Sequence, residues 1–412
     1  MSRFFYIARD NKGQKVSGAE EGFNQEEVIS RLQAKGLLIV NIMAAEQKES
    51  ASISPDKIAG TKLKMKHYGG SSEDLVLFCR QLATLLGAGV TILKSLDIIS
   101  MQVTSIKLHN VLVRLEKDME AGLSLHEAMS KHPTVFSDLW VNLVESGEAS
   151  GNLAMVLSRL AGYLERNEAF KRKIVSALIY PAILMFAGFG ALLFLTIKII
   201  PTFAELFEGF KIEMPFLTKI LIDVSNFIKK GFLVMLIGGG AIFYFFRQYI
   251  RTKTGRKRFE KFQYSLPVFG DFFRALVIER FSSEMSTLVE SGVPILYSLE
   301  ITEHSVGNLI MADIIRQIKE EVRSGKNLSV PLDRSGFFEP MVVQMVSIGE
   351  EVGELPQMFK KINAFYQEFV EVFLTRFSAM FEPIILIFMG FVIGIMIIGM
   401  FLPIFQISKI SG

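Results

Sequence analysis

One pattern occurs twice in this chain, and each copy runs into an apolar stretch long enough to cross a bilayer. Phe78, Leu85, Gly89, Val90, Ile92, Leu93, Ser95 and Leu96 return as Phe281, Leu288, Gly292, Val293, Ile295, Leu296, Ser298 and Leu299, at a constant offset of 203. After a one-residue deletion the offset is 202, pairing Gly147, Glu148, Gly151 and Leu153 with Gly349, Glu350, Gly353 and Leu355. The same offset pairs Pro181 with Pro383 and Pro201 with Pro403. Two copies this far apart describe a duplicated domain and not a solenoid, so both copies must share a fold and the same direction of exit.

The apolar stretches set the second constraint. No charge interrupts the chain between Lys173 and Lys198, or between Glu382 and Lys409, and about 20 apolar residues suffice to cross the hydrocarbon. The interval between Lys230 and Arg247 is shorter, but flanking Lys and Arg stems can snorkel and extend it. Parity requires it as a span. Two like domains on one face, each feeding a span in the same direction, need one return crossing between them. The side is set by charge: Arg247, Arg251, Lys253, Arg256, Lys257, Arg258 and Lys261 crowd the exit of the middle stretch and mark it as cytoplasmic. This position makes membrane topology a better account of the cluster than nucleic acid, which is not expected as a partner. With half of its residues hydrophobic and 21% charged, the chain reads as a multi-pass membrane protein with large aqueous parts. No apolar h-region stands between Met1 and Ser50, so the amino terminus is expected in the cytoplasm and the carboxyl terminus outside it.

The expected fold class is a mainly α membrane protein. It has a small α/β module at 1–43, a polar linker at 44–72, a cytoplasmic helical bundle at 73–173 and a first transmembrane helix at 174–200. A short external segment follows at 201–230, then a second transmembrane helix at 231–250, a second cytoplasmic bundle at 251–376 and a third transmembrane helix at 377–408. Ser71 and Asp74 have capping-box spacing before the stripe Leu75, Phe78, Leu82, Leu85 and Leu86. Gly89 and Gly292 end the helices before them, after which Thr91 and Pro294 open the next. Met129, Trp140 and Met155 are assigned to packing.

The sharpest local signal is Gly-Glu-x-x-Gly, at Gly147, Glu148 and Gly151 and again at Gly349, Glu350 and Gly353. Its glycines permit a tight helix-to-helix corner, and a carboxylate before the following helix suits that helix's positive end. A surface acid meeting a partner or a divalent cation is the other reading. In the spans, Gly390 with Gly394 forms a small-residue face suited to close helix contact. No phosphate loop, zinc-protease pair or nucleophile elbow is present, and the five histidines show no ligand spacing. No catalytic residue, metal or cofactor is expected, and Cys79 reads as a small buried helix residue. A small-solute transporter or channel is disfavoured, because no span carries charged or broken-helix residues near its midplane. A membrane-anchored signalling scaffold would not explain why the duplication includes a span.

Taken in order, several short stretches resemble the inner-membrane platform family of type IV pilus assembly and type II secretion, the PilC and GspF proteins. They are Tyr6-x-Ala8-x-Asp10, Phe78-x-Arg80-Gln81-Leu82 leading to Gly89-Val90, Gly147-Glu148-x-x-Gly151, Tyr180-Pro181, Pro215-x-x-Thr218, Leu266-Pro267-x-Phe269-Gly270, Gly292-Val293-Pro294 and Gly349-Glu350-x-x-Gly353. The likeness covers nearly the whole chain. It implies a non-enzymatic scaffold in a bacterial inner membrane whose cytoplasmic bundles face a hexameric assembly ATPase. It also implies spans that meet pilin or pseudopilin helices, contact with other inner-membrane assembly proteins, and self-association into a dimer or larger ring. Two departures stand out: Thr91 replaces a proline in the first repeat, and Ser283 with Glu284 stand where Arg80 and Gln81 stand in the first. The second copy is therefore expected to lack whatever contact Arg80 makes.

Overall fold

The computed structural model describes residues 2–9, 15–23, 25–36, 38–44, 72–208 and 215–410, in two units divided after Lys64. In the first unit, β1 (Ser2–Arg9), β2 (Lys15–Gly22) and β3 (Leu38–Ala44) form an antiparallel sheet in the order β2-β1-β3, and α1 (Gln25–Ala34) precedes β3. The β1–β3 register slips between Ile7 and Ala8. Val28 and Leu32, one turn apart on α1, are fully buried. The backbone N–H of Phe23 donates to the Glu27 carboxylate at the helix start. Gly36, in the left-handed conformation, follows the end of α1. The linker expected at 44–72 and its capping residue Ser71 lie almost wholly outside the described residues.

In the second unit the duplication is visible helix by helix. The first repeat is α2 (Ser72–Gly87), α3 (Ile92–Ser100), α4 (Ile106–Glu120), α5 (Leu125–Ser130), α6 (Asp138–Ala149) and α7 (Leu153–Phe194). A π turn at Leu195–Ile199 joins α7 to α8 (Ile200–Glu208), and α9 (Phe216–Arg251) and α10 (Lys253–Ser265) lead to the second repeat. That repeat is α11 (Phe269–Glu290), α12 (Ile295–Ser305), α13 (Leu309–Arg323), α14 (Ser329–Arg334), α15 (Pro340–Val352) and α16 (Leu355–Ile410). Local chemistry starts these helices at matching places. Ser105 caps α4 through the N–H of Leu108, and Asn308 caps α13 through that of Met311. Thr91 caps α3, while Pro294, whose ring fixes a helix-compatible φ, opens α12.

Both cores are built around one aromatic pair. Phe78 lies 6.0 Å from Phe136 in the first, and Phe281 lies 5.4 Å from Phe338 in the second. The third ring changes sides: Trp140 completes the first cluster, whereas Val342 occupies its equivalent and Phe359, opposite Leu157, fills the second. Core volume is conserved while its source moves across the bundle. Met129 and Trp140 are buried as expected, but Met155 is half exposed, because the stripe of α7 runs through Val156, Leu157 and Leu160.

The last helix of each repeat does not stop at the bundle edge. Among the described residues, α7 and α8 with the π turn between them, and α16, are the two helical runs long and apolar enough to cross a membrane. Pro181, Pro383 and Pro403 lie inside these helices. Pro201 stands two residues past the end of the π turn, and a residue without an N–H, crowding the preceding turn, accounts for the wider winding there. The carbonyl of Thr196, in that turn, accepts from Ser225 of α9. Thr218 of α9 in turn donates to the carbonyl of Gly399 in α16. A Cβ at Gly188 would stand 3.3 Å from Met389, so glycine lets α7 and α16 approach. Gly390 and Gly394 make no such contact; nothing lies within 4 Å of a Cβ built at either, so their face is open in the single chain.

Candidate functional site

Each Gly-Glu-x-x-Gly element sits where one helix hands over to the long exit helix. Gly147 and Gly349 are the close-approach residues. A Cβ on Gly147 would stand 3.1 Å from the Leu153 Cα, and one on Gly349 would stand 3.2 Å from the Leu355 Cα. Gly151 and Gly353 take the left-handed conformation that ends the helix, with φ 71° and 77°. Gly89 and Gly292 do the same for the earlier corner, with φ 83° and 84°.

The carboxylate between these glycines points away from the helix expected to hold it. Glu148 reaches back to α5, where it accepts from the backbone N–H of Leu125 (2.7 Å) and of His126 (3.1 Å) and lies 2.6 Å from the His126 Nδ1. Glu350 accepts from the N–H groups of Leu328 and Ser329 and from the Ser329 hydroxyl at the start of α14. The helix that gains the negative charge is therefore the short one two elements back, not α7 or α16.

Arg80 forms a bidentate pair with Glu165, at 2.8 and 2.6 Å, tying α2 to α7. The guanidinium lowers the Glu165 pKa, and the carboxylate raises that of Arg80. In the second repeat the positions of Arg80 and Glu165 hold Ser283 and Gln367, and the tie moves one turn back along the helix. Glu279 of α11 accepts from Asn363 (2.9 Å) and Gln367 (2.8 Å) of α16. Burial pushes the Glu279 pKa up, against the pull of those two amide donors.

Glu284, the counterpart of Gln81, faces the other way. It pairs with Arg280 at 3.1 Å and accepts from Ser305 and from Tyr163 of the first repeat. Burial raises its pKa despite the adjacent guanidinium. Around it runs a seam between the repeats: Tyr297 donates to Asn142, Arg159 to the carbonyl of Glu290, and Leu288, Val293 and Ile301 enter the first repeat's core. A polar cleft of about 490 Å³ opens on this seam, lined by Asp138, Tyr163, Asn167, Arg280, Glu284 and His304. The polar run Ser282, Ser283, Glu284, Ser286 and Thr287 carries no sequence mark of burial, yet all five are buried, because α11 is packed by α16 on one side and by the first repeat on the other.

No group of three metal-ligating side chains occurs among the described residues. Cys79 is buried with its thiol donating to the carbonyl of Leu157, and burial raises its pKa strongly, so it holds its proton at neutral pH. What the geometry supplies is mechanical: two lobes locked along a seam, each continued by a long helix, with Lys173 of α7 paired to Glu371 of α16 at 2.6 Å where those helices leave.

The family model described as type II secretion system protein F matches residues 78–201 and again 281–403, and its N-terminal domain model matches 1–43. A type IV pilus assembly protein PilC of Thermus thermophilus is 36% identical over 408 residues, 99% of this chain and 98% of that protein. The PilC of Myxococcus xanthus is 33% identical over 99% of this chain and 95% of its own length. A type II secretion system protein F of Pseudomonas aeruginosa is 30% identical over the full length of both.

Proposed function

The chain belongs to the type II secretion system protein F family, and from that premise we propose that it is the inner-membrane platform of a pilus or secretion machine. In this reading it couples a hexameric cytoplasmic assembly ATPase to the insertion of pilin or pseudopilin helices into a growing fibre. It performs no chemistry of its own. The observation that carries the reading is the unbroken passage of α7 and α16 from an aqueous bundle into an apolar stretch. A push or rotation applied to either lobe then reaches the bilayer through a continuous helix.

The proposal includes three crossings, with both lobes cytoplasmic. The 36-residue α9 makes the return, and its hydrogen bonds to Thr196 and Gly399 are its docking points among the other two spans. The carboxyl terminus then lies on the far side, and copies of the chain associate as a dimer or larger ring. Arg80 and the corner acids Glu148 and Glu350 remain candidates for contact with the ATPase or with other assembly proteins.

The test is to break the rod and leave its parts intact. Two glycines inserted between Arg172 and Lys173 add a flexible joint between the first lobe and its span. Membrane-inserted, folded protein that no longer supports fibre assembly or secretion is the expected result. Full function with the joint in place would show that force does not pass along α7.

A further inference from the structure

The cations of α10, just past the end of α9, line a groove, and their arrangement is poor for stability. α10 begins at Lys253 and carries Arg256, Lys257 and Arg258 in its opening turns, where the helix dipole is positive and cations are unfavourable. Lys253, Lys257 and Lys261 recur every four residues, so their charges also repel along one exposed face. Internal acids answer only some of them. Lys257 shares Asp313 with Arg316, and Arg256 pairs with Glu260. Lys253 and Lys261 meet no acid among the described residues, and Arg258 reaches only the Tyr249 hydroxyl at 3.4 Å. Lys253, Lys257, Arg258 and Lys261 line a hollow of about 550 Å³ together with Arg316 and the one acid, Asp313, that Lys257 and Arg316 already share.

The neighbourhood says what covers it. Tyr244, Phe245, Phe246 and Tyr249 are all exposed on the last turns of α9, an aromatic band of the kind that lies at the headgroup level of a bilayer. Phe246 packs edge-on against Phe259 of α10 at 5.8 Å, which fixes the groove beside that band. We propose that this groove is a binding site for the phosphate headgroup of an anionic inner-leaflet lipid, which supplies the negative charge that the chain does not. The inference rests on α9 being a membrane span. It makes lipid composition a determinant of how α10, and through it the second lobe, is held against the membrane.

The test uses the full-length protein reconstituted in phosphatidylcholine vesicles containing a minor fraction of phosphatidylglycerol. Spin-labelled phosphatidylglycerol and phosphatidylcholine report the lipid immobilised on the protein. The wild type should prefer the anionic probe. The exposed triple variant K253Q/R258Q/K261Q, which spares the paired Lys257 and Arg316, should lower that preference about fivefold or more, since each cation near an anionic surface is worth about a fivefold gain. An equal preference in variant and wild type overturns the proposal. Loss of the preference on adding millimolar glycerol 3-phosphate also overturns it, by assigning the groove to a free phosphate ester. Labelling a cysteine introduced at exposed Ser324 reports separately whether the second lobe is cytoplasmic, so a failed topology and an empty groove give different results.

Discussion

Replacing Glu148 by Ala separates the two roles open to the corner acid. The carboxylate holds two first-turn N–H groups of α5, at 2.7 and 3.1 Å, and its side chain is 21% exposed. Leaving partly buried donors without an acceptor costs about 1–3 kcal/mol, and the lost charge at the helix's positive end adds about 0.3–1 kcal/mol. Since solvent reaches the site, the lower ends apply, about 1 kcal/mol for each of the two donors and about 0.3 kcal/mol for the charge, for a total of about 2 kcal/mol of local stability. At about 1.4 kcal/mol per tenfold, that is roughly a 30-fold loss of amide protection in α5. Hydrogen exchange followed by mass spectrometry on the full-length protein in lipid reads this peptide by peptide. Glu350→Ala should do at least as much to α14, because the Ser329 hydroxyl is stranded as well. Glu148→Gln should fall between, since its amide oxygen can still accept. Unchanged protection in α5, together with failed fibre assembly or secretion, would refute the capping argument and assign the acid to a partner.

Glu279 gives a dependence on pH. Its folded pKa is raised, so between the ordinary carboxylate range and that raised value the folded protein binds the extra proton. Its contribution is complete at low pH and is lost as pH rises through the folded pKa. Protection of α11 amides should fall as pH rises above the ordinary carboxylate range in the wild type, and Glu279→Gln, which keeps the acceptor for Asn363 and Gln367, should flatten that slope. Arg80→Ala removes a pair whose side chains are both well exposed to solvent, so stability should change by less than about 1 kcal/mol. Co-purification of the assembly ATPase should weaken in that variant, and an undiminished yield would remove Arg80 from the interface. Gly349→Val places a Cβ 3.0 Å from Met358 and 3.2 Å from the Leu355 backbone. A cost of about 1–3 kcal/mol is expected from overpacking, seen as faster exchange in α15 and the start of α16, with Gly147→Val behaving alike in the first repeat.

The duplication was legible because what repeats is what backbone geometry demands. Gly89, Gly151, Gly292 and Gly353 take positive φ, and Phe78 and Phe281 occupy matching core positions. The direction of the corner acids was not. Glu148 and Glu350 meet residues 21 to 23 positions earlier in the chain, and no local period encodes that separation. The seam escaped for a different reason. Polar residues on α11 look like a wet face until a second lobe is placed against them, and their partners Tyr163 and Asn363 come from distant helices. Arg80 shows the limit of comparing copies. Its tie between helices is kept in the second repeat by Glu279, one turn away, where residue-by-residue alignment shows only a loss.

Membrane-impermeant maleimide labelling tests the central claim, that two like lobes share one compartment with a crossing between them that resets direction. In a Cys79→Ser background, single cysteines are placed at exposed Ser158 in the first lobe, Ser324 in the second and Lys219 at the start of α9. In cells with a permeable outer membrane, Lys219→Cys should label at once, while Ser158→Cys and Ser324→Cys should label only after the inner membrane is opened. Labelling that puts Ser158 and Ser324 on opposite faces would contradict the account.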